Sequence, residues 1–143
     1  MKPTLVPGVD RQETLRIDET RVIGFLGDDY RVYSTPSVLR DIEVACRKLA
    51  DLHLDEGEST VGTVVHLEHL GAGLIGAEVN VRVELVGVEG RRLTFKGETR
   101  CGDDVIARCT HERFVVALAK SKERLIKKRA ELEAKGLIRV KGA

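Results

Sequence analysis

A chain of 143 residues, with 24 Lys and Arg against 23 Asp and Glu, has room for one ordinary domain. Its 42% hydrophobic and 33% charged shares exclude a disordered chain, and its longest apolar run, Phe114 to Ala119, falls far short of the roughly 20 residues of a membrane span. Three cysteines without close pairing (Cys46, Cys101, Cys109) argue against a disulfide scaffold or zinc ribbon, and the Met1-Lys2-Pro3-Thr4 start has no apolar stretch resembling a signal peptide; the expected setting is reducing and cytoplasmic.

Residues 13–19 read as a strand, with Leu15 and Ile17 alternating against polar neighbours. Residues 20–34 carry Gly24, Gly27, Asp28 and Asp29 and read as a loop with a turn of helix. Only five residues are aromatic, and three of them, Phe25, Tyr30 and Tyr33, fall within nine positions here. The core is therefore expected to be aliphatic.

At 35–52 the period becomes helical. Thr35 suits an N-cap and Pro36 the first helical position. Leu39, Ile42, Cys46, Leu49 and Ala50 follow on one face. Glu43 lies four residues after Leu39, so its angular position falls within that apolar stripe. A carboxylate there is costly unless it is paired or hydrogen-bonded. Glu43 either sits at the stripe's edge and reaches solvent, or orients a histidine, for which His69 is the natural partner.

Four strand signals follow. Val65, Leu67 and His69 share one side of 61–70. Val79, Val81, Val83 and Leu85 alternate with polar residues. Glu89-Gly90 marks a hairpin before Leu93, Phe95 and Gly97, and a last strand runs from Val105 to Ala119. Strand, long helix, then four strands predicts an α+β domain with an antiparallel sheet covering one helix. Such a sheet leaves an open edge, so pairing between two copies is expected: a homodimer, or a tetramer built from it.

The core spans about residues 10–119 of a single domain, 1–143. The tail, 120–143, holds nine Lys and Arg and three Asp and Glu, a net of 9 − 3 = +6, against 15 − 20 = −5 for the rest. Leu118, Leu125 and Leu132 recur at heptad spacing, which predicts a solvated helix with one docked stripe. Phosphate attraction is the sharper reading, although the tail has no aromatic for base stacking and no nucleic-acid partner is expected.

Gly71-Ala72-Gly73-Leu74-Ile75-Gly76 matches the dinucleotide fingerprint, but that chemistry needs a helix next, and a strand follows. It reads as a connection between strands. His66 and His69, three apart on a strand, point to opposite faces and do not form a metal pair; no metal site is expected. Thr35, His69 and Glu43 supply a hydroxyl, an imidazole and a carboxylate, the parts of an acyl-transfer site. Spacing alone does not bring them together.

Several segments, in this order, carry a resemblance: Tyr33-Ser34-Thr35-Pro36, Ile42 to Cys46, Val61-Gly62-Thr63, His69, Val88 to Leu93, and Thr110-His111-Glu112-Arg113. Over about residues 10–120 the chain resembles the fluoroacetyl-CoA thioesterase family of hotdog-fold proteins. The resemblance implies a long helix wrapped by a curved antiparallel sheet and dimerised through the sheet edges. It implies hydrolysis of an acyl-CoA thioester by Thr35, Glu43 and His69, with Gly62 beside the thioester and Arg113 in the substrate cleft. No separate cofactor is implied, since coenzyme A is part of the substrate. Two phenylalanines form a lid over the acyl pocket in the fluoroacetyl-specific members. The matching positions here are Leu26 and Asp29, while Phe25 and Tyr30 each lie one residue away. Phe25, Tyr30 and Tyr33 are therefore the expected acyl-pocket residues. A non-catalytic acyl-CoA or small-ligand binder on the same scaffold is the alternative.

Overall fold

The computed structural model describes residues 1–139; the last four residues of the basic tail lie outside it. Strand β1 spans Asp10–Arg16 and pairs with β5, Glu78–Glu89. Short strands β2, Val22–Ile23, and β3, Val32–Tyr33, pair with each other around a 3-10 turn at Asp28–Tyr30. Helix α1 is Thr35–Asp51, followed by β4, Glu58–His69; β6, Arg92–Cys101; β7, Asp104–Ala117; and helix α2, Leu118–Ala134. The five long strands form one antiparallel sheet in the order β1-β5-β6-β7-β4, with α1 packed on it. This is the expected hotdog arrangement.

The cleanest alternation in the sequence produces the cleanest strand. Val79, Val81, Val83 and Leu85 are each 1% exposed or less and face α1. From the helix, Val38, Ile42, Ala45, Cys46, Leu49 and Ala50 face back. The inward stripe thus runs through Val38 rather than Leu39. That rotation puts Glu43 at the edge of the stripe, 43% exposed, the first of the two positions the sequence allows.

The cap also differs. Ser34, not Thr35, is the N-cap: its Oγ accepts from the Ser37 amide at 3.3 Å. Thr35 is the first helical residue, and its hydroxyl is free for another partner.

The glycine-rich segment 71–76 packs against β3, with the Tyr33 amide donating to the Gly73 carbonyl at 2.8 Å. A Cβ on Gly73 would lie 2.7 Å from Ile17 Cδ1 and 3.0 Å from Tyr33 Cβ. Close packing, rather than a ligand, accounts for that glycine.

Helix α2 forms as expected, but its stripe is not docked. None of its residues is buried, and Leu118 and Leu125 are 50% and 68% exposed. No helix among the described residues is long and apolar enough to cross a membrane.

Candidate active site

The helix start meets the end of the edge strand. Thr35 Oγ1 lies 2.7 Å from His69 Nδ1. Ser34 makes this possible by capping the helix itself. When the hydroxyl donates, Nδ1 holds the lone pair and Nε2 carries the proton. A hydroxyl aimed at an unprotonated ring nitrogen is the elementary unit of base-assisted attack.

Glu43 is elsewhere. Its Oε2 lies 3.5 Å from Arg113 Nη1 and 3.9 Å from His111 Nε2. A Cβ placed on Gly62 would lie only 2.7 Å from that oxygen, so the missing side chain leaves the carboxylate its place. Along α1, Thr35 and Glu43 are about 12 Å apart at 1.5 Å per residue. Within one chain, then, five of the candidates fall into two clusters: Thr35 with His69, and Glu43 with Gly62 and Arg113, joined by the unforeseen His111.

Arg113 is 5% exposed and heavily used. Its Nε donates to Thr60 Oγ1 at 2.7 Å, Nη2 to the Thr60 carbonyl at 3.0 Å, and Nη1 to His111 Nε2 at 3.1 Å. Burial lowers its pKa from the ordinary value and Glu43 pulls it back up. A cleft of about 120 Å³ opens between Glu43, Val44, Arg47 and Arg113.

Tyr33 does not line a pocket. It is 1% exposed, and its hydroxyl donates to Asp41 Oδ2. Arg21 closes the network, its Nε donating to Asp41 at 2.8 Å. Burial and the Asp41 carboxylate push the Tyr33 phenol well above its usual pKa. The substrate-binding expectation for Tyr33 is corrected: it is a core residue tying β3 to α1. Phe25 and Tyr30, by contrast, are 70% and 62% exposed on the loop around the 3-10 turn, together with Leu26 at 68%.

His66 and His69 do face opposite sides. His66 is 74% exposed and lies 3.6 Å from Glu68, on the face away from Thr35.

The chain resembles known proteins over most of its length. Residues 17–119 match the fluoroacetyl-CoA-specific thioesterase family. The chain belongs to this family. A fluoroacetyl-CoA thioesterase from Streptantibioticus cattleyicolor is 37% identical over 89 residues, 62% of this chain and 64% of that protein, so the match spans less than two-thirds of that relative. The solved structure of the fluoroacetyl-CoA thioesterase FlK superimposes with a TM-score of 0.78 at 27% identity, covering 87% of this chain and 97% of that one. A thioesterase superfamily member from Thermus thermophilus gives a TM-score of 0.84 at 26% identity, covering 94% and 99%.

The matched family span contains every candidate residue and ends at Ala119, just inside α2. Two residues of this family member escaped the sequence reading. Asp41 is 7% exposed and His111 2%. Both are polar residues on inward faces, and only their partners explain them. For His111 a signal existed: it alternates with Cys109 and Arg113 on one side of the last strand.

Proposed function

We propose that the protein is an acyl-CoA thioesterase that hydrolyses a small acyl-CoA to the free acid and CoA. The observation that carries this is the 2.7 Å contact between Thr35 Oγ1 and His69 Nδ1, at the start of α1, in a chain of this family. His69 Nδ1 takes a proton from the Thr35 hydroxyl, or from a water which that hydroxyl holds, as the oxygen attacks the thioester carbonyl. The oxyanion collapses, the C–S bond breaks, and the CoA thiolate leaves with the proton from His69. After direct attack, a water deprotonated by His69 then cleaves the acyl-Thr35 ester to the free acid and restores the hydroxyl. Backbone N–H groups near Gly62 or the helix start are the proposed oxyanion donors. Coenzyme A enters only as part of the substrate.

The carboxylate comes from a second copy. β4 is an edge strand of 12 residues with Val61, Val64 and Val65 each more than 40% exposed. Long apolar edges of this kind pair with another chain. Antiparallel pairing of two β4 strands about a two-fold axis sets the Gly62 end of one against the His69 end of the other. Glu43 of one protomer then reaches His69 Nε2–H of its partner and fixes the useful tautomer. The exposed loop with Phe25, Leu26 and Tyr30 is the proposed acyl-pocket wall.

The test is thiol release from acetyl-, fluoroacetyl-, short branched, aryl and medium-chain acyl-CoA. Turnover of at least one, lost in both Thr35→Ala and His69→Ala, is the expected result. Wild-type turnover by either variant would overturn the assignment. A trapped acyl-Thr35 would decide between direct attack and a held water.

A further inference from the structure

We infer that His111 is a positioning residue, holding the irregularity in β4 that turns Gly62 and His69 toward the same face and orienting Arg113 behind Glu43. Where its consequence is read as activity, this rests on the thioesterase reading above. The geometric part does not.

The pairing of β4 with β7 runs Gly62↔Arg113 and then Val64↔Glu112, so Thr63 is an extra residue without an opposite number. An insertion of this kind frees a backbone group from the ladder. Here the Val64 carbonyl takes its bond from the His111 ring, 2.7 Å from Nδ1. Thr63 adds a second tie, its hydroxyl donating to the Glu112 carbonyl at 3.2 Å.

The protonation of His111 follows from its partners. A carbonyl only accepts, so Nδ1 carries the proton. A guanidinium only donates, so Nε2 must hold the lone pair that faces Arg113 Nη1 at 3.1 Å. The ring is neutral, in one tautomer, with both nitrogens engaged. A second proton on Nε2 would point at a cation.

The ring also fits the space. It is 2% exposed, stacked at a tilt 6.5 Å from Phe95, with Cε1 placed 3.2 Å from where a Gly62 Cβ would stand. His111 is shielded from the surface; its Nε2, Arg113 Nη1 and Glu43 Oε2 form a triangle with sides of 3.1, 3.5 and 3.9 Å. It therefore acts on the site through Arg113 and through the backbone of β4, not by touching substrate.

Two substitutions separate these roles. Asn places an N–H near the Nδ1 position, and Gln places its carbonyl oxygen near Nε2, where an acceptor faces Arg113. His111→Asn keeps the bond to Val64; His111→Gln loses it. The expected kcat is within about tenfold of wild type for Asn and down by about 100-fold for Gln and for His111→Ala, the size of effect a displaced catalytic group produces. KM should change less than kcat. Equal kcat for Asn and Gln, or wild-type kcat for Ala, would overturn the inference.

Imidazole NMR gives the readout that needs no substrate. In the wild type, His111 should show the Nδ1–H tautomer at neutral pH. In His111→Gln, the His69 ring signals should shift although His69 does not touch residue 111; in His111→Asn they should stay. If His69 is unmoved in Gln, the inference fails, whatever the enzyme proves to hydrolyse. If the NMR pattern holds and no acyl-CoA is turned over, the thioesterase reading fails and the positioning role stands.

Discussion

Gly62 and His69 face the same side of the sheet although seven residues separate them along one strand. An odd separation on a regular strand puts two residues on opposite faces. Thr63, the unpaired residue of the β4–β7 ladder, reverses the parity. Thr60 and Gly62 before it, and Val65, Leu67 and His69 after it, pair across from β7 residues on the helix side. Deleting Thr63 should therefore turn His69 away from Thr35. The expected outcome is loss of the Thr35–His69 contact in a structure of the variant and a fall in turnover of about 100-fold or more. Unchanged turnover would mean that the extra residue has no part in the site.

Gly62→Ala tests the other end. The new methyl would stand 2.7 Å from Glu43 Oε2, the far end of a flexible side chain that can swing away. It would also stand 3.2 Å from Cε1 of the buried, fixed His111 ring, so a stability loss of about 1–3 kcal/mol is expected. Activity should fall, since the carboxylate moves. Thermal melting and steady-state kinetics on the same preparation check both.

Much of this was legible in the sequence, and the gaps have physical causes. The period-2 run from Val79 to Leu85 identified a core strand because one face is wholly apolar. The cap was misplaced by one residue because Ser34 and Thr35 are both good caps before Pro36, and only geometry separates them. That single step decides whether the Thr35 hydroxyl serves the helix or the site. The irregularity in β4 was hidden because Val64 and Val65 are both apolar, so the pattern fits either phase. Asp41 and His111 were hidden because each depends on a partner distant in sequence, Arg21 for Asp41 and Val64 for His111, 20 and 47 positions away.

Mixing two inactive variants tests the shared site. In Glu43→Ala the His69 end is intact, and in His69→Ala the Glu43 end is intact. If the site joins two protomers, a mixed dimer contains one complete site. Random exchange makes half the dimers mixed with one working site of two, so about a quarter of wild-type activity should return. No recovery after exchange, confirmed by mass spectrometry of the mixed species, would place Glu43 and His69 in the service of the same chain.

Stability should fall on acidification because of His111. Burial, then the nearby Arg113, hold its pKa below the ordinary 6.5, while the bond to Val64 and the Glu43 charge pull the other way. The unfolded chain takes up this proton near 6.5 and the folded chain only at lower pH. Between those values the unfolded state binds more protons, so stability drops as pH falls below 6.5, by at most about 1.4 kcal/mol per pH unit. Above 6.5 His111 adds no slope. His111→Asn should flatten that part of the profile, measured as the midpoint of urea unfolding from pH 7.5 to 5.

The tyrosine network should matter to stability more than to chemistry. Tyr33→Phe removes the hydroxyl that donates to Asp41 but leaves Arg21 on the same carboxylate. Asp41 is 7% exposed, so one of its oxygens loses a partner away from bulk water, at a cost of about 1–3 kcal/mol. Asp41→Ala should cost more, because it leaves the buried phenol without a partner and removes one of the two carboxylates on Arg21, which keeps only Asp18. If Tyr33 instead lined the acyl pocket, Tyr33→Phe would change the preference among acyl-CoA substrates while the melting temperature stayed fixed. The core placement predicts the reverse.

Helix α2 offers a salt-dependent test. Between Lys120 and Ala134 it holds six Lys and Arg and three Glu, none of them buried, beside a body of net negative charge. It joins the body where the Leu118 amide donates to the Gly57 carbonyl at 2.9 Å, at the end of β4 nearest Arg113. An exposed cationic arm in that place would attract the phosphates of CoA over roughly a Debye length, about 30 Å at 0.01 M salt and about 10 Å at 0.1 M. Truncation after Lys120 should therefore raise KM for acyl-CoA most at low salt, with kcat unchanged. The difference from the full chain should vanish by about 0.5 M salt, where screening already removes the attraction. The control is an acyl-pantetheine thioester, which carries no phosphate: its KM should ignore both the salt and the truncation. A truncation effect independent of salt would instead mark α2 as part of the packing, a role its exposed leucines do not support.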